Sequence, residues 1–186
     1  MSTVIFSHTK MQEKEYLTDL LKEKKWFERR KFPVFLPQNK IDIKKEISDE
    51  NKLLKQKIVQ LQKAWRGIEA DYFQIVRKFH YRKLLPKYIC HISRFGPEGK
   101  YRRPNLLFIR LRIKRDDGRV LETIGHELLH LLFADLFDLK RLNYVEREGM
   151  VDALILETNL VKLFPKYERQ SIGKIRRALL KSIFQS

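Results

Sequence analysis

The chain has 186 residues, of which 43% are apolar, and a formal net charge of +17. That length suits one domain, or one domain with an extension, and the apolar share is enough for a core. No apolar run approaches the roughly eighteen residues of a membrane span. The single cysteine, Cys90, excludes an internal disulfide and fits a reducing compartment.

The stretch Met1–Ser7 has no basic lead and too short an apolar run for a signal peptide. The expected location is the cytoplasm. The charge is uneven. Residues 1–85 carry 20 basic and 11 acidic side chains, residues 86–163 carry 14 and 11, and residues 164–186 carry 6 and 1. Excess positive charge on the flanks leaves nucleic acid open as a partner, on charge alone.

In chain order, residues 10–31 read as a helix with Leu17, Leu20, Leu21 and Phe27 on one face. Two prolines in Phe32–Pro37 break it and predict an extended linker. From Ile43 to about Arg82 runs a long helical pattern. Leu54, Ile58, Leu61, Trp65, Ile68, Tyr72, Ile75 and Phe79 alternate spacings of four and three, a seam of period 3.5. Its second half, 61–79, is expected to back a core. Its first half reads equally as a core helix or as a coiled-coil arm, so a homo-oligomer through residues 43–65 is one expectation.

Lys87–Phe95 reads as a strand and Gly96–Gly99 as a turn. Leu106–Ile113 reads as a second strand, with Ile109, Leu111 and Ile113 inward and Arg110 and Arg112 outward. It leads toward the next helix and is expected to form the exposed sheet edge. Asp116-Asp117-Gly118 marks the start of that helix. The tail from 164 to 186 reads as a basic amphipathic helix with Ile172, Ile175, Leu179 and Ile183 on one face. His80 and His91 read as ordinary surface or strand histidines. The division expected is 1–57 as a basic helical extension, 58–163 as the core and 164–186 as a basic helical tail.

The core helix carries His126-Glu127-Leu128-Leu129-His130. Residues i and i+4 stack on one helix face, so His126 and His130 can aim at one metal ion while Glu127 reaches a water on it. Five His and 14 Glu in this chain give the bare pentapeptide by chance about once in a hundred such sequences. The apolar flanks do not suit a solvated helix, and a Glu within them calls for a partner.

A catalytic zinc site needs a third protein ligand and an open position. No His follows His130, which leaves a carboxylate. Glu146 and Glu148 both precede the apolar run Ala153–Leu156. Glu148 and Asp152 are i,i+4 on one face of that segment. Glu148 can ligate, and Asp152 can hold the second N–H of a ligand histidine.

These residues, His126-Glu127-x-x-His130 followed by Glu148-x-x-x-Asp152, resemble the gluzincin metallopeptidases. The small size and the strand before the active helix look most like the minigluzincins. The resemblance covers about half the chain, from near Ile68 to Val161. It implies an α+β fold with a zincin-like core: a small mixed or antiparallel sheet, a backing helix, an active-site helix and a glutamate helix, here with an N-terminal helical extension. It implies zinc held by His126, His130 and Glu148, Glu127 as general base and Asp152 behind the ligands. A peptide or protein is the implied substrate. The late His that assists the oxyanion in thermolysin is absent, which leaves Tyr144, Tyr167, Arg141 and Arg147, with Tyr144 first because it lies four residues before Glu148. Minigluzincins occur as blocked forms, so a latent enzyme is expected, plugged either by the Phe32–Pro37 region or by the tail. The competing class is a basic nucleic-acid-associated or interaction protein with a structural or vestigial zinc site.

Overall fold

A computed structural model describes residues 2–37, 52–80, 83–112, 117–169 and 172–185. The expectation for residues 43–51 lies outside these. The fold is mixed α+β. Strand β1 (Thr3–Ser7) leads into helix α1 (Lys10–Arg29), whose N-terminus is capped by the Thr9 hydroxyl accepting from Gln12 N at 3.2 Å. Helix α2 spans Lys52–Arg77, and strands β2 (Lys87–Ser93), β3 (Gly99–Arg102) and β4 (Leu106–Arg110) follow. Helices α3 (Asp117–Leu139) and α4 (Tyr144–Leu156), a short 3-10 turn (Asn159–Lys162) and helix α5 (Arg177–Phe184) complete the chain. Among the described residues, no helix is long and apolar enough to cross a membrane.

The sheet has the order β1-β2-β4-β3. β1–β2 and β2–β4 are parallel, and β3–β4 is antiparallel. This corrects two readings. The strand starting at Leu106 lies inside the sheet and ends at Arg110. The edge on that side is β3, which begins at Gly99, where a turn was expected. The stretch read as an N-terminal extension supplies β1 to this same sheet.

The two faces of the sheet are covered differently. Tyr88, Cys90, Ile92, Leu107 and Ile109 face the main core, built with α2, α3 and α4. Phe108 faces α1, where Tyr16 stacks on it at 4.3 Å beside Leu17, Leu20 and Phe27. Arg110, read as outward, is buried, with Glu98 Oε1 3.7 Å away. Glu13 on α1 accepts from His91 Nε2 at 2.6 Å and from Ser93 Oγ at 2.9 Å, so helix and sheet are joined by buried hydrogen bonds.

The 3.5-residue seam of α2 faces its own core. Leu54, Leu61, Trp65, Tyr72 and Phe79 are buried, and Ile58, Ile68 and Ile75 pack against the same cluster. The coiled-coil arm is corrected on this point for residues 54–65, because the face that would dimerise is covered within the chain. The hydroxyl of Tyr72 donates to the carbonyl of Gly125 at 2.8 Å, so α2 directly supports the segment that precedes His126.

Candidate metal centre

Helix α3 is apolar around His126 and His130, and both imidazoles are drawn inside with it, 4% and 3% exposed. Helix α4 starts with a capping box: Glu146 N donates to Asn143 Oδ1, and Asn143 N donates to Glu146 Oε2, both at 3.0 Å. Glu146 is thereby committed to the helix start, which removes it as the alternative ligand. One half-turn on, Glu148 turns inward and is buried.

The three groups converge. His126 Nε2 and His130 Nε2 are 3.0 Å apart, and Glu148 places Oε2 3.1 Å from the first and Oε1 3.3 Å from the second. Burial works to raise the Glu148 carboxyl, but the hydrogen bonds and charges of His126 and His130 outweigh it and hold it at about 2.

Behind His126 stands a hydroxyl. Tyr167 Oη lies 2.6 Å from His126 Nδ1 and donates to Asp152 Oδ1 at 2.6 Å. A carboxylate only accepts, so the phenol proton points at Asp152 and the phenol oxygen accepts from His126 Nδ1–H. In the neutral ring that leaves Nε2 of His126 as a lone pair facing the Glu148 oxygens, and a cation between them, a metal ion or the proton of an imidazolium, satisfies both. Ligand atoms about 2.0–2.1 Å from a tetrahedral zinc are about 3.3 Å from each other, close to the 3.0–3.3 Å observed here. The residues therefore fit a zinc ion. Asp152 was expected to hold a ligand histidine, and Tyr167 is the group added to that pair. Burial first, and then the hydrogen bond and charge of Asp152, push the Tyr167 phenol well above its usual range.

Glu127 flanks the cluster, half-buried, against the start of β3. Desolvation raises its carboxyl to about 7, with His126 working to lower it and Glu148 to raise it. Tyr101 on β3 stacks on the His130 ring at 5.6 Å, with 7° between the planes. The reading of residues 96–99 as a turn left Tyr101 without an element, and no local pattern marks it.

The four candidates for oxyanion assistance separate. Tyr167 is engaged with His126 and Asp152. Arg147 donates to the carbonyl of Leu142 at 2.9 Å and to Asp138 at 2.5 Å. Arg141 is exposed in the turn between α3 and α4. Tyr144 is 44% exposed at the start of α4, and its phenol is pushed up to about 12 by burial and by the charges of Glu148 and Glu127.

A second His/carboxylate group among the described residues is His8, Glu13 and His91. His8 Nδ1 donates to the Ile92 carbonyl at 2.8 Å, and Glu13 is held by His91 and Ser93, so this group ties β1 and α1 to the sheet. His91 is thus a fully buried strand histidine.

The tail does not run free. Leu180 and Ile183 of α5 are buried in the main core, and Phe184 meets Phe79 at 6.1 Å. The linker does lie toward the site. Phe32 contacts Tyr144 at 6.3 Å, and Phe35 pairs antiparallel with Gly96, three residues before β3. No protein-family model, no curated protein and no solved structure matches this chain.

Proposed function

We propose that the chain is a zinc-dependent peptidase of the gluzincin type, with a zincin-like core. The observation that carries the reading is the convergence of His126 Nε2, His130 Nε2 and Glu148 within 3.0–3.3 Å, with a second carboxylate, Glu127, beside them. A purely structural zinc site closes with four protein ligands and has no use for a free carboxylate.

Zinc, when bound, supplies Lewis acidity toward a carbonyl and makes water easier to deprotonate. Glu127 is placed to take the proton of the attacking water and to return it to the leaving amine. Tyr144 offers a hydroxyl to the oxyanion. β3, as the outer strand, offers backbone groups for an extended peptide to add alongside it. The latent form expected from the sequence has its carrier in the Phe32–Phe35 segment, because that segment pairs next to β3 and touches Tyr144.

Metal analysis with cleavage of casein or a peptide library tests the reading. About one zinc per chain is expected, lost in His126→Ala, His130→Ala and Glu148→Ala. Glu127→Ala should keep the zinc and abolish hydrolysis. Full occupancy in Glu148→Ala removes Glu148 as a ligand. Salt-dependent binding of DNA with no cleavage by any form moves the protein to the nucleic-acid class, which otherwise stands on net charge alone.

A further inference from the structure

The residue that sets His126 belongs neither to its own helix nor to the next one. Tyr167 comes from the segment after α4, 41 positions beyond His126. How that segment is held shows what the site depends on.

The segment is fastened at both ends of the glutamate helix. Phe164 is buried, and its ring fills the space beside Gly125, where a β-carbon would stand 2.5 Å from Cζ. Tyr167 N then donates to the Phe164 carbonyl at 3.0 Å, a tight turn that fixes where the phenol points. Further on, Lys174 N donates to the Val145 carbonyl at 2.9 Å, and the chain crosses α4 at Gly149, whose missing side chain lets the two backbones touch. Gly173 sits over Asp152, with its β-carbon position 2.9 Å from Oδ2. Arg177 pairs with Glu157 at 2.6 Å at the far end of the helix. Asp152 is wholly buried between Tyr167 and this crossing.

We propose that Tyr167 is a positioning residue that relays Asp152 to His126, and that docking of residues 164–169 and 172–185 and metal binding support each other. The inference rests on the metal reading above. The relay holds the Nδ1 proton on His126 and turns Nε2 toward Glu148 and His130, which an undocked segment cannot do. Linkage then runs both ways: whatever stabilises the ligand geometry stabilises the docked segment by the same factor.

Zinc affinity, measured by competition with a chromophoric chelator, tests the relay. Tyr167→Phe keeps the ring and removes the hydroxyl, and should weaken zinc roughly tenfold to a hundredfold, the scale of losing a group behind a metal ligand. Asp152→Asn should weaken it similarly, and the double variant should lose little more than either single one, because both break the same chain of hydrogen bonds. Trypsin cleavage at Lys166, Arg169 and Lys174 reads the segment. Zinc should slow it in the wild type, a chelator should restore it, and Tyr167→Phe should show a much smaller difference between the two.

A wild type that binds zinc while Tyr167→Phe binds it equally well overturns the relay, even if that variant melts at a lower temperature. Fully additive losses in the double variant overturn it as well. A wild type that takes up no zinc overturns the metal reading itself and this inference with it. Unchanged affinity in Tyr167→Phe leaves the metal reading standing.

Discussion

Glu127 lies against the α-carbon of Gly99. A β-carbon on Gly99 would stand 2.5 Å from Glu127 Cγ and would overlap the carboxylate. The proposed general base and the first residue of the edge strand therefore share one small space, and only glycine leaves it open. Gly99→Ala must move either the carboxylate or the strand. With zinc content and melting temperature little changed, hydrolysis by Gly99→Ala should fall at least tenfold, since sub-ångström placement of a base carries about that much rate. A Gly99→Ala protein with wild-type turnover and full zinc would show that Gly99 does not set the position of Glu127.

The seam on α2 makes the opposite statement from an interface. Leu54 is 4% exposed and Ile58 packs on the same core. Leu54→Asp with Ile58→Asp would place two carboxylates against apolar side chains, a cost of several kcal/mol. The double variant should melt far below the wild type or fail to fold, and light scattering should give the same mass for the wild type at every concentration tested. A stable double variant whose mass is half that of the wild type would restore the dimer arm.

The sequence showed those parts of the site that are local. His126 and His130 are one helical turn apart, as are Glu148 and Asp152, so spacing alone put each pair on one face. The competition between Glu146 and Glu148 needed the structure, because a capping box and a ligand both call for a glutamate near a helix start. Tyr167, Tyr101 and Gly99 reach the site through the fold rather than through spacing, and no period marks them. β1 and β3 are too short, at 5 and 4 residues, for alternation to stand out, and β1 pairs in parallel with a strand more than eighty positions away. Among the described residues of the tail, read as one amphipathic helix over 164–186, only Arg177–Phe184 is helical; Ile172 and Ile175 lie before it, Ile172 is 46% exposed, and Leu180 rather than either of them is buried with Ile183. Which surface the apolar face covers was not legible, and it covers the core beside α4 rather than the cleft.

The remaining question about latency has one segment left to answer it. The tail supplies Tyr167 and buries Leu180 and Ile183, so deleting residues 166–186 should abolish zinc binding rather than raise activity. The linker is different. Phe35 N donates to the Gly96 carbonyl at 3.1 Å and Gly96 N donates to the Phe35 carbonyl at 2.7 Å, while Phe35 itself is 55% exposed. The pair is an isolated antiparallel bridge three residues before β3, the edge on which a substrate would add. Phe35→Pro removes the donor to Gly96, and with Phe32→Ala it removes the contact with Tyr144. This double variant should leave zinc content and folding intact and raise the rate on short peptides severalfold, with less gain on long ones already able to displace the strand. If peptide rates stay at the wild-type level while zinc and fold are retained, the linker does not close the cleft.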